Sequence, residues 1–354
     1  MTDKIIQEIP DFLESEEELL ELVHIKVDPG QSALRIDQFL SNRLAKVSRS
    51  RIQAAIQAGM VKVNDQLIKS SYKLSGGEFI ELKIPTSPDT SGVLPENIPL
   101  EIVYEDADVM VINKTAGMVV HPAAGLNSGT LVNALAHYFQ SSPTPVAPIS
   151  KTRYGLVHRI DKETSGLLVI AKNDFAHVHL AKQFFDHSIE REYLALVWGE
   201  PDPPEGRIEV NIGRDPRFRQ RQFAFKDGLE GKPAVTHFQL VESFYYTSLV
   251  RCNLETGRTH QIRVHMKYIG HTLFNDEKYG GDKILKGTVF NKYKQFIDNC
   301  FSLMPRFGLH ARSLGFVHPV TNKKLYFEVE LPDDFKQLIV KWRNYTESRR
   351  EILE

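Results

Sequence analysis

The sequence predicts an α+β protein whose main sheet is mixed and mainly antiparallel, preceded by a small α/β domain. After residue 100, strand-like segments outnumber helical ones and do not alternate strictly with them, which argues against a doubly wound parallel sheet. The glycine-rich patterns GxGxxG and GxxxxGK, typical of dinucleotide and nucleotide-phosphate sites, are both absent. The 354 residues are 42% hydrophobic and 25% charged, a composition that excludes collagen-like and wholly disordered proteins.

Charge divides the first part of the chain into two segments. Residues 1–34 carry two basic and nine acidic side chains, and we expect them to form an acidic N-terminal tail. Residues 35–84 carry nine basic and four acidic side chains, although the whole chain has a net charge of -1. Binding of lysine and arginine to phosphates is favourable because it releases the counterions condensed on them. The basic segment therefore predicts a polyanion as partner.

The basic segment also has a regular apolar pattern. Two sets of apolar residues recur at helical spacing and predict two amphipathic helices, followed by short strands at 61–63 and 79–82. The first set is Ile36, Phe39, Leu40 and Leu44, and the second is Ile52, Ala55, Ile56 and Met60. The candidate polyanion contacts are Arg43, Lys46, Arg49, Arg51 and Lys62. A solvated helical face is the alternative explanation of this charge run.

A proline-rich stretch marks the boundary between the two domains. Residues 85–99 contain four prolines, the composition of an extended linker. We expect the larger domain to span residues 100–332 and a C-terminal helix or tail to span residues 333–354. Strands are predicted at 109–112, 167–171, 193–197, 236–241, 248–254, 259–265 and 325–329, and helices at 130–139, 174–186 and 333–343.

A dense polar run, GLVHRIDKETSG at 155–166, directly precedes the apolar strand predicted at 167–171. Polar residues at the end of a buried strand lie at the rim of the scaffold, where functional sites are commonly built. An alternative remains open, because Asp161 could instead cap a turn while Thr164 and Ser165 bind nearby backbone groups.

Two further runs carry side chains of interest. In REYLALVWG, at 191–199, Tyr193 lies in a predicted strand, where a tyrosine is more often part of the core than of a site. In ETGRTHQIRVHM, at 255–266, a strand would place Thr259, Gln261, Arg263 and His265 on one face. Such a polar face is not typical of a core alone.

Other chemistries lack their sequence signatures. His260 and His265 are five positions apart, and no HExxH or CxxC pattern accompanies them, so we expect no metal site. No G-x-S-x-G pattern indicates a serine nucleophile. Two cysteines are too few for a disulfide framework and fit a reducing compartment, the cytoplasm. Apolar runs fall far short of the roughly 20 residues that cross a bilayer, so no membrane partner is expected.

Several motifs together resemble a known enzyme family. They are NKTAGMVVHPAAG, GLVHRIDKETSGLLVIAK, REYLALVWG, TGRTHQIRVH and LHARSLGFVHP. In this order they are similar to the pseudouridine synthases of the RluA/RluD family, and most similar to its D-type enzymes of large-subunit ribosomal RNA. Residues 35–82, with SRSRIQAAIQAGMVKVN at their centre, resemble the RNA-binding module of ribosomal protein S-four type. Thr115 and Ile160 stand where the family commonly has proline and leucine.

The resemblance implies a fold, a reaction and a set of roles. The fold would be a pseudouridine synthase catalytic domain preceded by the S-four-type module. Asp161 would be the catalytic carboxylate, paired with Arg263, and Tyr193 would stack on the uracil and transfer protons. Arg159 would fill the gap that a flipped base leaves, since a planar cation offsets part of the cost of unstacking. The other implied substrate contacts are His158, Thr164, Arg258 and Leu309.

The partner implied by the resemblance is RNA. Further contacts are expected at Lys114, Arg217, Arg219 and Arg221, near phenylalanines that could equally be the buried face of a hairpin. We expect a monomeric enzyme without cofactor, acting on large-subunit ribosomal RNA in a pre-ribosomal particle. Transfer RNA as substrate and a noncatalytic role in RNA binding or ribosome assembly are the alternatives. A glycoside hydrolase would need two carboxylates, and Glu163 is an uncertain second.

Overall fold

The structure is a computed structural model that describes residues 20–44, 47–85, 93–122, 127–141, 154–218 and 220–349. The small N-terminal domain contains a four-stranded sheet with the order β1-β6-β3-β4, a two-stranded β2-β5 pair and two helices. Its elements are β1 Leu20–Lys26, β2 Leu34–Arg35, α1 Ile36–Arg43, α2 Arg49–Gln57, β3 Val61–Val63, β4 Gln66–Leu67, β5 Lys73–Leu74 and β6 Phe79–Pro85. The two predicted helices and both predicted strands are present.

The expectation of an acidic tail over residues 1–34 is wrong for its second half. Strand β1 pairs antiparallel with β6 along its whole length, from Leu20 opposite Pro85 to Lys26 opposite Phe79. Val23 and Ile25 are half-buried and Val27 is fully buried, so an apolar row faces the core of the small domain. Net charge carries no information about this alternation of apolar and polar residues. Without β1, the edge of β6 would leave backbone N–H and C=O groups unpaired, which favours the addition of a strand.

The main sheet has nine strands in the order β11-β14-β15-β10-β16-β9-β8-β7, with β17 also paired to β16. Its strands are β7 Ile102–Glu105, β8 Val109–Lys114, β9 Ser165–Ala171, β10 Glu190–Trp198, β11 Glu205–Glu209, β14 Val235–Ser243, β15 Thr247–Leu254, β16 Leu309–Val317 and β17 Lys324–Glu328. Strands β9 and β16 are parallel, and the other pairs described in this sheet are antiparallel. The predicted mixed, mainly antiparallel sheet is confirmed. Strands β12 Asn211–Arg214 and β13 Gln222–Phe225 form a separate hairpin.

Both faces of the sheet are covered. The remaining helices are α3 Leu131–Ser141, α4 Asp174–Phe185, α5 Gln261–Tyr268, α6 Asn291–Leu303 and α7 Asp333–Glu347. Side chains of β8 and β9 alternate between two apolar clusters: Val109 and Val169 pack with α4, whereas Met110 and Ile170 pack with α3. A third cluster joins α6, α7 and β10. Within the described residues, no helix is both long and apolar enough to cross a membrane.

The small domain shares an apolar core with the larger one, because α2 packs against α4. The hydroxyls of Ser48 and Ser50 each donate to a carboxylate oxygen of Asp174 at 3.3 Å. Residues 93–99 of the predicted linker are also held, since Asn133 donates its side-chain amide to the Leu94 carbonyl at 2.8 Å. Pro85 is the last residue of β6, and residues 86–92 of that linker lie outside the described residues.

The strand predicted at 259–265 is wrong. His260 adopts a left-handed backbone conformation with φ 57°, and helix α5 begins at the next residue. Gln261 to Met266 are all buried, both the polar and the apolar side chains. Alternation indicates a strand only where one face meets solvent, so it carried no information for an element that is buried on every side.

Candidate active site

A pocket opens at the end of the main sheet where β9 and β16 begin. All eight residues predicted to act in catalysis or substrate binding line it: His158, Arg159, Asp161, Thr164, Tyr193, Arg258, Arg263 and Leu309. They come from the segment before β9, from β10, from α5 with the turn before it, and from the first residue of β16. The fold therefore brings together residues that are as far apart in sequence as Arg159 and Leu309.

Residues 161–164 position Asp161, and we call them the catalytic turn below because a catalytic role is predicted for that residue. The Thr164 amide donates to the Asp161 carbonyl at 3.1 Å and closes the turn. Gly166 then allows β9 to approach β16. Its φ is +115°, and a Cβ atom there would lie 2.1 Å from the Ala311 carbonyl oxygen, so the position requires glycine.

Three buried basic side chains hold three consecutive residues of the catalytic turn. Arg263 Nη1 donates to Asp161 Oδ2 at 2.8 Å. Lys114 Nζ donates to the Lys162 carbonyl at 3.0 Å, and Arg306 Nη1 donates to the Glu163 carbonyl at 3.1 Å. Hydrogen bonds from charged donors are stronger than neutral ones. The turn is therefore held both by its carboxylate and by its backbone.

Arg263 is itself fixed by a second carboxylate. Its Nε and Nη2 donate to the two oxygens of Asp276 at 2.7 and 2.9 Å, and the side chains of both residues are almost completely buried. The guanidinium carbon lies 4.2 Å from the ring centroid of Phe307 and 4.9 Å from that of Tyr279. Asp276 and the two rings set the plane of the guanidinium and leave Nη1 for Asp161.

The charges around Asp161 keep it ionised. Burial alone would raise the pKa of its carboxyl, but the surrounding cations and the hydrogen bond from Arg263 outweigh burial and hold that pKa well below its usual range. Burial lowers the pKa of His260 well below its usual value, so this imidazole is neutral at neutral pH. Arg263 and Arg159 are then the cations that stabilise the carboxylate.

Tyr193 lies at an irregularity in β10. The register of β10 against β16 shifts between Glu192 and Tyr193, as in a β-bulge, which re-aims a side chain. Tyr193 is 7% exposed and packs with the apolar cluster that contains Leu309 and Ile160. Its ring therefore belongs both to the core and to the pocket wall, the two alternatives that the sequence left open.

His158 makes structural contacts, and its predicted contact with substrate stays a prediction. Its Nε2 accepts a hydrogen bond from the Val169 amide at 3.0 Å, and its ring stacks on Phe184 with centroids 4.4 Å apart. Burial, and then the charge of Arg191, lower the pKa of His158 to about 3, so it is neutral. Strands β9 and β16 pair only at the beginning of β9. The Val169 amide lies beyond this short pairing and donates to His158 instead.

Comparison with known proteins identifies the family. The RNA pseudouridylate synthase family matches residues 108–268, and the S4 domain matches residues 34–80. An uncharacterized RNA pseudouridine synthase of Chlorobaculum parvum is 42% identical over 322 residues, 90% of this chain and 97% of that protein. The ribosomal large subunit pseudouridine synthase D of Zymomonas mobilis is 41% identical over 322 residues, 88% of this chain and 95% of that protein. This chain belongs to the RNA pseudouridine synthases.

A solved structure supports the same fold for this synthase. The human protein named RNA pseudouridylate synthase domain containing 4 is 25% identical to this chain, with a TM-score of 0.54. The match covers 69% of this chain and 93% of the human one. The predicted family, fold class and enzyme class, an isomerase that makes pseudouridine in RNA, are confirmed.

Two of the basic residues predicted to touch RNA are buried in this synthase. Lys114 is 2% exposed, and its ammonium donates to the carbonyls of Thr115, Met118 and Lys162 at 2.9 to 3.0 Å. Burial lowers its pKa to about 7. Arg51 is 5% exposed, and its charge interacts with that of Asp174 at the start of α4. It neighbours Ile52 in sequence, and a basic residue next to the apolar face of a helix is easily mistaken for a surface residue.

The other basic residues of the small domain are more accessible. Arg43 and Arg49 are exposed and pair with Asp28 and Asp37 at 2.6 and 2.8 Å, and Lys62 is half-buried on β3. Their role as RNA contacts stays a prediction. Lys46 and Arg219 lie outside the described residues.

The β12–β13 hairpin presents the remaining predicted contacts. Arg217 is exposed in the connecting loop, and the Arg221 guanidinium lies 4.9 Å from the ring centroid of Phe218. Phe218 and Phe223 are 56% and 48% exposed, so these two rings do not form the buried face of a hairpin. The Gln222 amide donates to the Tyr279 hydroxyl at 3.0 Å, which connects the hairpin to the surroundings of Arg263.

Several residues of the site were not predicted. Arg191 and His260 line the pocket and lie within the motifs quoted above, which was a usable signal. Asp276 and Arg306 lie outside every run that was singled out, and a single sequence offers no sign of their partners.

A group of potential metal ligands lies at the opposite end of the sheet strands from Asp161. Asp106, Asp108 and His318 lie close together there. Both oxygens of Asp106 already accept hydrogen bonds: Oδ2 from the Tyr104 hydroxyl at 2.7 Å and His318 Nε2 at 2.9 Å, and Oδ1 from two backbone amides. This group connects the ends of β7, β8 and β16.

Proposed function

We propose that this synthase isomerises specific uridines in a stem-loop of large-subunit ribosomal RNA, with Asp161 as the catalytic carboxylate. The observation that carries the proposal is the buried Asp161–Arg263 pair in a pocket that Tyr193 also lines. Acting on ribosomal RNA would place the enzyme in the cytoplasm and in ribosome biogenesis, with pre-ribosomal particles as its partner.

The reaction exchanges one bond for another. The bond from ribose C1′ to uracil N1 breaks, the base turns within the site, and C1′ joins uracil C5. The C5 proton leaves and N1 gains a proton, so oxidation state and composition do not change. An ionised carboxylate can assist the first step by adding to the ribose or base, or by stabilising positive charge on the sugar. Asp161 meets this requirement, since its pKa is held low.

Within the described part of the protein, only one carboxylate oxygen of Asp161 accepts a hydrogen bond. Oδ2 accepts from Arg263, whereas no hydrogen bond to Oδ1 is formed within the described ranges. The Asp161 side chain is 20% exposed, while that of Arg263 is 6% exposed. The arginine is thus on the protein side of the carboxylate, and Oδ1 is available to the nucleotide.

Tyr193 and Leu309 provide the surface against which the base lies. Their side chains line the pocket with Asp161, and both are mostly buried, so they offer rigid apolar contact. An aromatic ring that is already ordered loses little conformational entropy when it stacks on a flipped base. We propose that the Tyr193 hydroxyl exchanges protons with the sugar or the base.

Arg159 is proposed to occupy the vacancy left by the flipped nucleotide. It is half-buried at the pocket wall, two residues before Asp161. We propose that the nucleotide leaves the stem beside it. A guanidinium stacks on neighbouring bases while its charge faces phosphates. This combination compensates for part of the unstacking energy.

The choice of large-subunit ribosomal RNA rests on the relatives and on the S4 domain. The relative from Zymomonas mobilis is named for large-subunit modification. The accessible basic residues of the small domain and of the β12–β13 hairpin provide two surfaces for RNA backbone. Recognition by shape across two surfaces fits a folded stem-loop.

Pseudouridine mapping tests this proposal. Carbodiimide-dependent primer-extension stops would be compared in large-subunit rRNA and bulk tRNA from cells with the normal protein, Asp161→Asn, or the control Asp186→Asn. Asp186 is an exposed carboxylate at the end of α4. We expect Asp161→Asn to lose stops within one rRNA stem-loop and the control to keep them. Loss in tRNA alone would overturn the substrate, and retained stops would overturn the role of Asp161.

A further inference from the structure

We infer that Arg306 is a positioning residue for the isomerisation, and that Asp334, in the first turn of the C-terminal helix α7, anchors it. The inference rests on the proposed catalytic role of Asp161. It connects a helix at the far end of the sequence to the catalytic turn through one buried guanidinium.

The guanidinium of Arg306 bridges two parts of the fold. Nε and Nη2 donate to the two oxygens of Asp334 at 2.7 and 3.0 Å. Nη1 donates to the Glu163 carbonyl at 3.1 Å. Bidentate pairing fixes the plane of a guanidinium, so the direction of Nη1 is set by Asp334. The hydrogen bond from Nη1 to the Glu163 carbonyl therefore orients the backbone of the catalytic turn.

This contact has consequences for Asp161. Glu163 is two residues after Asp161, inside the turn that the Thr164 amide closes on the Asp161 carbonyl. A shift of the Glu163 carbonyl would therefore move the Asp161 backbone while Arg263 stays on α5. The distance between the carboxylate and its cation then depends on Arg306. Errors of about 1 Å in such a geometry can slow a reaction about 100-fold.

The chain next to Arg306 supports the other member of the pair. Phe307 covers the Arg263 guanidinium at 4.2 Å, and Leu309 lines the pocket. Residues 306–309 thus contact the catalytic turn, its cation and the substrate space in succession. One segment of chain sets the relative positions of all three.

Asp334 is needed because Arg306 is buried. The arginine side chain is 5% exposed, and without the carboxylate its charge would face only carbonyl groups. Helix α7 is a firm base for this anchor. Phe335, Leu338 and Trp342 are fully buried against Trp198 and Phe274 in the third apolar cluster.

The test compares two arginine–carboxylate pairs that involve α7. Arg343 makes an equally bidentate pair with Glu242 of β14, at 2.7 and 2.6 Å, away from the catalytic turn. Single-turnover rates and dissociation constants would be measured with unmodified, transcribed large-subunit rRNA. We expect Arg306→Gln to lower the rate about 100-fold and Asp334→Ala about tenfold, with RNA affinity unchanged, at a temperature at which both variants are folded. Asp334→Ala should also lower the melting temperature, because it leaves the buried Arg306 charge without its carboxylate. Arg343→Ala and Glu242→Ala should react at the normal rate.

Chemical rescue separates positioning from general stability. Millimolar methylguanidinium should raise the rate of Arg306→Ala and leave Asp161→Asn inactive. A normal rate in Arg306→Gln, an equal loss in Arg343→Ala, or absence of rescue would overturn the inference. Turnover by Asp161→Asn would instead reject the proposed role of Asp161, so the two failures are distinguishable.

Discussion

At the scale of single residues, the protonation state of Asp161 depends on its neighbours. Burial favours the neutral acid, and Arg263 with Arg159 favours the carboxylate. The cations prevail because Arg263 is held in contact by Asp276 and cannot turn away. The pocket therefore presents an anion that is already formed and already oriented when RNA binds.

Removing the charge of Arg263 should make catalysis sensitive to acid. In Arg263→Gln, burial would dominate and raise the Asp161 pKa, so the ionised, active fraction would increase as the pH rises from about 5 to about 8. In the normal enzyme the pKa is already low, and the acid-side dependence should be absent over this range. Single-turnover rates at a series of pH values, with enzyme in excess, would show the difference. Parallel profiles for both proteins would contradict it.

At the scale of elements, the close approach of β9 and β16 depends on one glycine. Strand β9 pairs with β16 only through Ser165 and Gly166, immediately after the catalytic turn. Any side chain at 166 would collide with the Ala311 carbonyl. The position of the turn relative to β16 is thus set by the absence of a side chain.

Gly166→Ala should destabilise the protein by about 3 kcal/mol or more, because it combines overpacking with backbone strain. Gly270→Ala is the matched control: Gly270 also has a positive φ, +88°, but an added Cβ would meet nothing within 4 Å. Its cost should be about 1 kcal/mol. Urea unfolding of both variants would measure the two values. Equal losses would show that the contact with Ala311 is unimportant.

The elements also show where sequence patterns succeed. Strands 109–112 and 167–171 were predictable because their apolar runs are buried on both faces of a central sheet. Helix α5 was not, because its first six residues are all buried and the polar ones bond to partners in other segments of the chain. Strand β1 was missed because most acidic residues of the segment 1–34 precede it and dominate the charge count, although β1 itself carries only one of them, Glu21.

At the scale of the whole molecule, the two domains form a continuous apolar core. Helix α2 rests on α4, which covers the face of the sheet that carries Val109 and Val169. The basic surface of the small domain is therefore held in a fixed relation to the catalytic turn. A folded RNA could contact both surfaces at once only if its shape matched the fixed distance between them.

The double variant Arg43→Ala and Lys62→Ala should weaken RNA binding without changing the single-turnover rate at saturating enzyme. Each lost phosphate contact reduces the slope of log affinity against log salt by about 1. Lys336→Ala, an exposed lysine on α7, is the control. Filter binding at several salt concentrations would measure the slopes. Slopes that match the normal protein would show that these residues do not contact RNA.

The sequence alone determined the family, the order of the domains and eight of the residues that line the pocket, because motifs and apolar periodicity are properties of short stretches of chain. The resemblance also implied the pair of Asp161 and Arg263, which the structure forms across 102 positions. Only the tertiary structure decided which basic residues hold the backbone of the catalytic turn, since Arg306 reaches Glu163 across 143 positions. It also moved Lys114 and Arg51 from the expected RNA surface to the interior. A positive charge in a sequence looks the same whether it meets phosphate, a carboxylate or a backbone carbonyl, and only the packing of distant segments selects among them.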